Sequence, residues 1–313
     1  NSNPTRICFS AGQEPGKSTD IEFITIATAG NATDFGDLTR AIGDTSASCN
    51  SIRGVVQGSD SPSTAGLDVF TLATTGNATD FGDTTRAFDQ CFGVSNGHGG
   101  IPQTDQFPQR ASVNYMPGSG RGFVLGGGGA STTAGLQMIF IPTLGNSSDF
   151  GNLASTVSGN AGAGNTIKSV SFCGGGPTNT VETFFNATLG NASDFGNATV
   201  SREHVMGTGN STRFCVGGGL TPSDSNVIDY GDFATVGNLT DFGDLTTARG
   251  IGHVGPINSS TRGIFAGGGY PSYQNVIDYI TIGSTGNATD FGDLSTNRIG
   301  GGGAGSSTRG LSL

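Results

Sequence analysis

The chain has 313 residues, of which 56 are Gly and 11 are Pro, about one in five, while Asp, Glu, Lys and Arg together make only 12%. That balance excludes a helical protein, and an apolar fraction of 34% with 20 Phe and no Trp is enough to bury a core of short strands. A net charge of −10 sets the chain's own field against any phosphate backbone, so no nucleic-acid partner is expected.

The chain opens at Asn1 without a basic stretch followed by an apolar one, which implies either a removed leader or a fragment of a longer protein. Residues 5–12 read as a strand. From there the segment GNATDFGDL recurs, with small changes, beginning at residues 30, 76, 145, 190, 237 and 286. Its asparagines (Asn31, Asn77, Asn146, Asn191, Asn238 and Asn287) are spaced by 46, 69, 45, 47 and 49 residues. One interval therefore carries a surplus, placed at residues 87–109 between Arg86 and Arg110. With Pro102, Pro108 and several glycines, that stretch reads as a loop inserted into a single domain spanning 1–313. The longest apolar stretch, GLQMIFIP at 135–142, is well short of the ~20 residues of a spanning helix, so no membrane insertion is expected.

The most regular unit, residues 249–298, divides into RGIGHVG, TRGIFAGGG, NVIDYITI and DFGDLSTNR. Each piece has strand length and is rich in β-branched or aromatic residues closed by turn residues. Four short strands per ~47 residues is the arithmetic of a propeller blade. The expected fold is all-β, a six-bladed propeller. The chain starts at the second strand of blade 1, so the C-terminal segment 298–305 (RIGGGGAG) is expected to supply the missing strand and close the ring. Seven blades would follow if residues 87–109 formed a degenerate blade.

The repeat resembles the Kelch repeat in its arginine after the fourth strand, the cluster Gly267, Gly268 and Gly269 after the second, and Asp278 and Tyr279 in the third. Phe291 stands where Kelch units usually carry Trp. The succession NVIDYITI and GNATDFGDL is also similar to repeats in structural proteins of tailed bacteriophages of the cyanophage type. This resemblance implies a non-enzymatic virion structural or appendage protein, such as a tail fibre, forming a homo-oligomer with other virion subunits. Such a protein would display a face for assembly or for a host-surface glycan or protein. One alternative is a glycosylated extracellular filament or surface-layer subunit, suggested by ten Asn-X-Ser/Thr sequons at Asn31, Asn77, Asn146, Asn186, Asn191, Asn197, Asn210, Asn238, Asn258 and Asn287. Another is a copper or redox enzyme of the Kelch type.

The chemistry of single residues favours the first reading. The aspartates Asp34, Asp80, Asp149, Asp194, Asp241 and Asp290 belong to a structural turn between the third and fourth strands. Calcium at Asn31, Asp34 and Asp37 would have too few carboxylates. Arginines opening the second strands (Arg6, Arg53, Arg121, Arg213, Arg262) are expected beside those aspartates, where bidentate pairing suits Arg better than Lys. His204 and His253 could approach a central channel and hold copper, but their offsets from Arg202 and Arg249 differ. No catalytic residue, metal site or cofactor is expected. The five cysteines, Cys8, Cys49, Cys91, Cys173 and Cys215, read as buried free thiols, with one bridge as the alternative. The repeats differ most in the loops QEPGKST, TPSDS and YPSYQ, and the insertion is expected on their face. His98, Phe107, Tyr270 and Tyr273 are the binding candidates there.

Overall fold

The computed structural model describes residues 6–10, 17–25, 31–43, 46–50, 52–57, 64–88, 92–95, 120–127, 132–250, 257–269, 272–298, 303–305 and 310–312. All regular structure among them is β. Blade 1 is a three-stranded antiparallel sheet of β1 (Arg6–Ser10), β2 (Ser18–Thr25) and β3 (Thr33–Ile42). Blade 2 holds β4 (Ser46–Cys49), β5 (Arg53–Gln57), β6 (Thr64–Thr71) and β7 (Thr79–Phe88). Blade 3 holds β8 (Phe92–Ser95), β9 (Arg121–Gly127), β10 (Thr133–Phe140) and β11 (Ser148–Val157). Blade 4 runs through β12 (Ala161–Gly164), β13 (Lys168–Phe172), β14 (Thr178–Phe185) and β15 (Ser193–Arg202). Blade 5 comprises β16 (Met206–Gly209), β17 (Arg213–Gly217), β18 (Val227–Asp232) and β19 (Thr240–Asp244). Blade 6 comprises β20 (Ile257–Asn258), β21 (Arg262–Ala266), β22 (Gln274–Thr281) and β23 (Thr289–Arg298). The strands of each four-stranded blade are called A to D in that order; blade 1 holds B to D.

Six sheets of this kind, each a meander, make the six-bladed propeller that the repeat arithmetic predicts. The short strands β4, β8, β12, β16 and β20 stand against one another in succession, which makes strand A the inner strand of its blade. Their small residues, such as Ala161-Gly-Ala-Gly164 and Gly207, permit that approach.

The core lies between blades. Phe35 of blade 1 packs edge-on to Phe70 of blade 2 with ring centroids 5.3 Å apart, and Phe150 of blade 3 meets Phe184 of blade 4 at 5.5 Å. Phe195 of blade 4 meets Phe214 of blade 5 at 5.2 Å. Aromatic pairs of this geometry contribute about 0.5–1.5 kcal/mol beyond their buried area, so the Asp-Phe-Gly phenylalanines Phe35, Phe150 and Phe195 fasten their blades to the next.

Two expectations need correction. Residues 87–109 are not wholly an inserted loop, because β8 lies within them and pairs with β9 as strand A of blade 3. The surplus therefore falls between strands A and B and not after strand D, and its described ends, Ser95 and Gly120, lie at the end of the blade that carries the C–D turns. The C-terminal strand also differs. β24 (Gly303–Gly305) stands beside β20, as the next inner strand would, but it pairs with β25 (Gly310–Ser312) and not with β1. Strands so close in sequence pair with far less loss of chain entropy than a strand near residue 303 and one near residue 6.

Candidate functional site: the turn face and the blade junctions

The D-F-G-D sequence lies inside strand D, not in the turn before it. In blade 1, Glu22 faces Asp34 while Ile21 faces Gly36, so Phe35 is the extra residue of a β-bulge. The same shift recurs in the other five blades, between Leu67 and Asp68, Leu136 and Gln137, Val181 and Glu182, Ile228 and Asp229, and Ile277 and Asp278. The bulge is closed locally, as when Asp34 Oδ1 accepts the Gly36 N–H at 3.0 Å, with Asp194 and Asp290 doing the same for Gly196 and Gly292. Its product is an inward Phe. Phe35, Phe81, Phe150, Phe195 and Phe242 are all buried.

The turn residues Gly-Asn-Ala-Thr act on the preceding blade. Gly76 and Ala78 donate to the carbonyls of Phe35 and Asp37 at 2.7 Å each, and the Asp37 N–H donates to Asn77 Oδ1 at 3.1 Å. The same three-bond clip joins blades 2 and 3 through Asn146, blades 3 and 4 through Asn191, blades 4 and 5 through Asn238, and blades 5 and 6 through Asn287. A Cβ on Gly36 (φ +142°) would lie 2.6 Å from the Gly76 carbonyl, which is why the motif requires glycine there. The aspartates expected as a structural turn are thus bulge residues, and the asparagines are the inter-blade acceptors.

The strand B arginines serve the same junctions in a way the sequence reading missed. Arg53 donates to Pro142 O at 2.9 Å, Arg121 to Asn186 O at 2.5 Å and Arg213 to Ile282 O at 3.0 Å, each a carbonyl beside the C–D turn of the next blade. Lys168 replaces Arg in blade 4 and reaches Phe233 O at 3.0 Å. The preferred partners are therefore carbonyls, not the D-F-G-D carboxylates.

The arginines expected after strand D lie within it at Arg40, at its end at Arg202 and beyond it at Arg249, and they pair with strand C of the next blade. Arg202 and Asp229 meet at 2.5 Å and Arg249 and Asp278 at 2.6 Å, all four side chains fully buried, while Arg40 and Asp68 meet at 2.8 Å. Burial pulls the Arg202 and Arg249 guanidiniums below their ordinary range, and the facing carboxylates oppose that shift.

The A–B and C–D turns form one end of the molecule. Asn50 and Asn165 shape A–B turns by accepting the N–H groups of residues two and three further on, and Leu72 and Asn186 donate to the carbonyls of Ile52 and Ile167. This end carries exposed apolar side chains across blades 2 to 5: Ile52 and Ile167 in A–B turns, Leu144, Leu189 and Val236 before the turn glycine, and Phe140 and Phe185 where strand C ends. A shallow cavity of about 110 Å³ lies among Phe81, Met138, Phe140 and Leu144. Water-exposed apolar side chains clustered on one face mark an interaction surface more than they mark a fold requirement.

On the opposite face only Tyr273 among the binding candidates is described, and it is exposed; His98, Phe107 and Tyr270 lie outside the described residues. His204 is described in a left-handed conformation (φ 52°), its N–H donating to Gly159 O at 2.9 Å, and His253 lies outside. Cys8, Cys49, Cys173 and Cys215 are buried cysteines outside any disulfide, as expected, and Cys91 lies outside the described residues. Burial pushes Cys8 and Cys173 up to about 11 and Cys215 up to about 12, which suppresses their thiolate chemistry. Of the sequons, Asn186 is fully buried with its amide nitrogen donating to Asn165 O, and Asn210 donates to Ser260 O.

The solved structure of YjhT aligns with this architecture at a TM-score of 0.63, covering 85% of this chain and 88% of that one, with 10% sequence identity. The fold is that of a six-bladed propeller. At so low an identity the likeness carries the architecture alone. No protein-family model matches the chain, and no curated protein does.

Proposed function

We propose that this chain is a non-enzymatic structural subunit, of the Kelch-like kind found in tailed-phage particles or their appendages, with the turn face as its assembly surface. The observation that carries this reading is the apolar series Ile52, Leu144, Ile167, Leu189 and Val236, all exposed at one end of a scaffold whose motif polar groups are spent on joining blades. Non-identical but equivalent apolar positions on successive blades suit repeated contacts with like subunits or neighbouring particle proteins. The opposite face, with its differing loops and exposed Tyr273, suits selection of a host-surface glycan or protein.

The test is self-association of the purified chain by analytical ultracentrifugation, paired with imaging of the particle that carries it. The triple variant Leu144→Arg, Leu189→Arg and Val236→Arg should keep its melting temperature, since these side chains are already in water, and should shift from oligomer to monomer. A wild-type chain that stays monomeric at all concentrations, or a particle image with the turn face in open solvent, would overturn the assignment.

A further inference from the structure

The blade 3–4 junction lacks a cation that its neighbours possess. The strand C residue facing the bulge aspartate is Asp68 in blade 2, Gln137 in blade 3, Glu182 in blade 4, Asp229 in blade 5 and Asp278 in blade 6. Each of Asp68, Asp229 and Asp278 accepts the backbone N–H and the hydroxyl of a threonine on or just after the preceding blade's strand D, and each is paired with an arginine. At the 2–3 junction Gln137 is neutral, and Arg86 donates to Thr133 instead.

Glu182 is only 4% exposed and accepts one backbone N–H, from Ala154 at 2.7 Å. Alanine has replaced the threonine. Ser155 occupies the position of Arg40, and Val157 the register position of Arg202, so neither route supplies a guanidinium. A cavity of about 10 Å³ adjoins the carboxylate, walled by Ser155, Ser171, Cys173, Thr178 and Thr180, and Ser155 is exposed, giving solvent a way in.

We propose that this cavity is a binding site for one monovalent cation of sodium size, held by the Glu182 carboxylate and the surrounding hydroxyl oxygens. The ion takes the electrostatic place that arginine fills at the neighbouring junctions. A lone buried carboxylate is costly, and a single compensating charge removes most of that cost. The space admits one water-sized particle, which excludes a free guanidinium. One carboxylate is too few for calcium, which takes six to eight oxygens and usually several carboxylates.

The probe is sodium chloride against N-methyl-D-glucamine chloride at matched ionic strength, with the full chain melted in each. Wild type should melt about 2–4 °C higher in sodium. Glu182→Gln should lose that difference. An equal response of wild type and Glu182→Gln, or no sodium effect on wild type, would overturn the site. Wild-type crystals soaked in thallium(I) give a reading that needs no variant: an anomalous peak within coordination distance of Glu182 supports the proposal, and empty density there refutes it.

Discussion

Strand D of blade 5 and strand D of blade 6 begin with the same five residues, Thr-Asp-Phe-Gly-Asp, yet they sit in different surroundings. In blade 5, Phe242 is buried, and the Phe242 and Asp244 carbonyls accept N–H bonds from Gly286 and Ala288 at 2.8 Å each. In blade 6, Phe291 is 57% exposed, and a Cβ placed on Gly292 would meet nothing within 4 Å. The bulge is present in both, with the Gly292 N–H bonded to Asp290 Oδ1 at 2.9 Å. The bulge thus forms in both blades, whereas among the described residues the buried Phe and the clip accompany one another in blade 5 and neither is seen in blade 6. A repeat of this kind encodes two separable things, a conformation and a docking surface.

Removing the ring should separate them most sharply. Phe242→Ala deletes a side chain packed between two sheets and is expected to cost about 3–5 kcal/mol, while Phe291→Ala should stay within about 1 kcal/mol. Chemical denaturation of both variants checks this. Equal losses would mean that Phe291 is covered in solution.

Next in size is the glycine. Gly243 has φ +141° and its added Cβ would lie 2.6 Å from the Gly286 carbonyl, so Gly243→Ala combines backbone strain with a displaced neighbour and should cost about 2–4 kcal/mol. Gly292 has φ +135° but open space, so Gly292→Ala retains only the strain, about 1–2 kcal/mol. The informative quantity is the difference between the two melting shifts. If it vanishes, the glycine serves conformation alone and the close approach of the next blade is incidental.

These contrasts also explain what could be read from the sequence. Six copies of one segment at a near-constant spacing gave away the blade number, because a propeller repeats its sheet in the chain as well as in space. The function of the copied residues was less legible. Asn77 and Gly76 look like ordinary turn residues, and nothing in their own neighbourhood reveals that they bond to a strand some 40 positions earlier. The acceptors of the strand B arginines are hidden for a related reason, since carbonyls are invisible in a pattern of side chains. The position of the surplus residues depended on finding β8, whose Phe-Gly-Val-Ser is too short and too glycine-rich to stand out. Glu182 carried a signal that could have been used: aligned against its repeats, it is a carboxylate in a blade whose predecessor has lost its arginine.

The smallest effect concerns Asn287 and separates a hydrogen-bond role from a sugar-carrying one. Its Oδ1 accepts the Asp244 N–H at 3.1 Å, a bond that Asn287→Ala removes, leaving a backbone donor short of a partner; the expected cost is about 0.5–1.5 kcal/mol. Asn287→Asp keeps an acceptor oxygen and should recover most of that loss, less a small repulsion from Asp244 and Asp290 nearby in the chain. Thr289→Val destroys the Asn-X-Thr sequon while leaving the Asn287 side chain intact, and it should preserve the clip. Melting the three variants alongside wild type, each produced in the native host, distinguishes the roles. If Thr289→Val destabilised the chain as much as Asn287→Ala and lowered its intact mass by a glycan, the asparagine would be a modification site. The opposite order would mean that its carbonyl oxygen is what the repeat preserves.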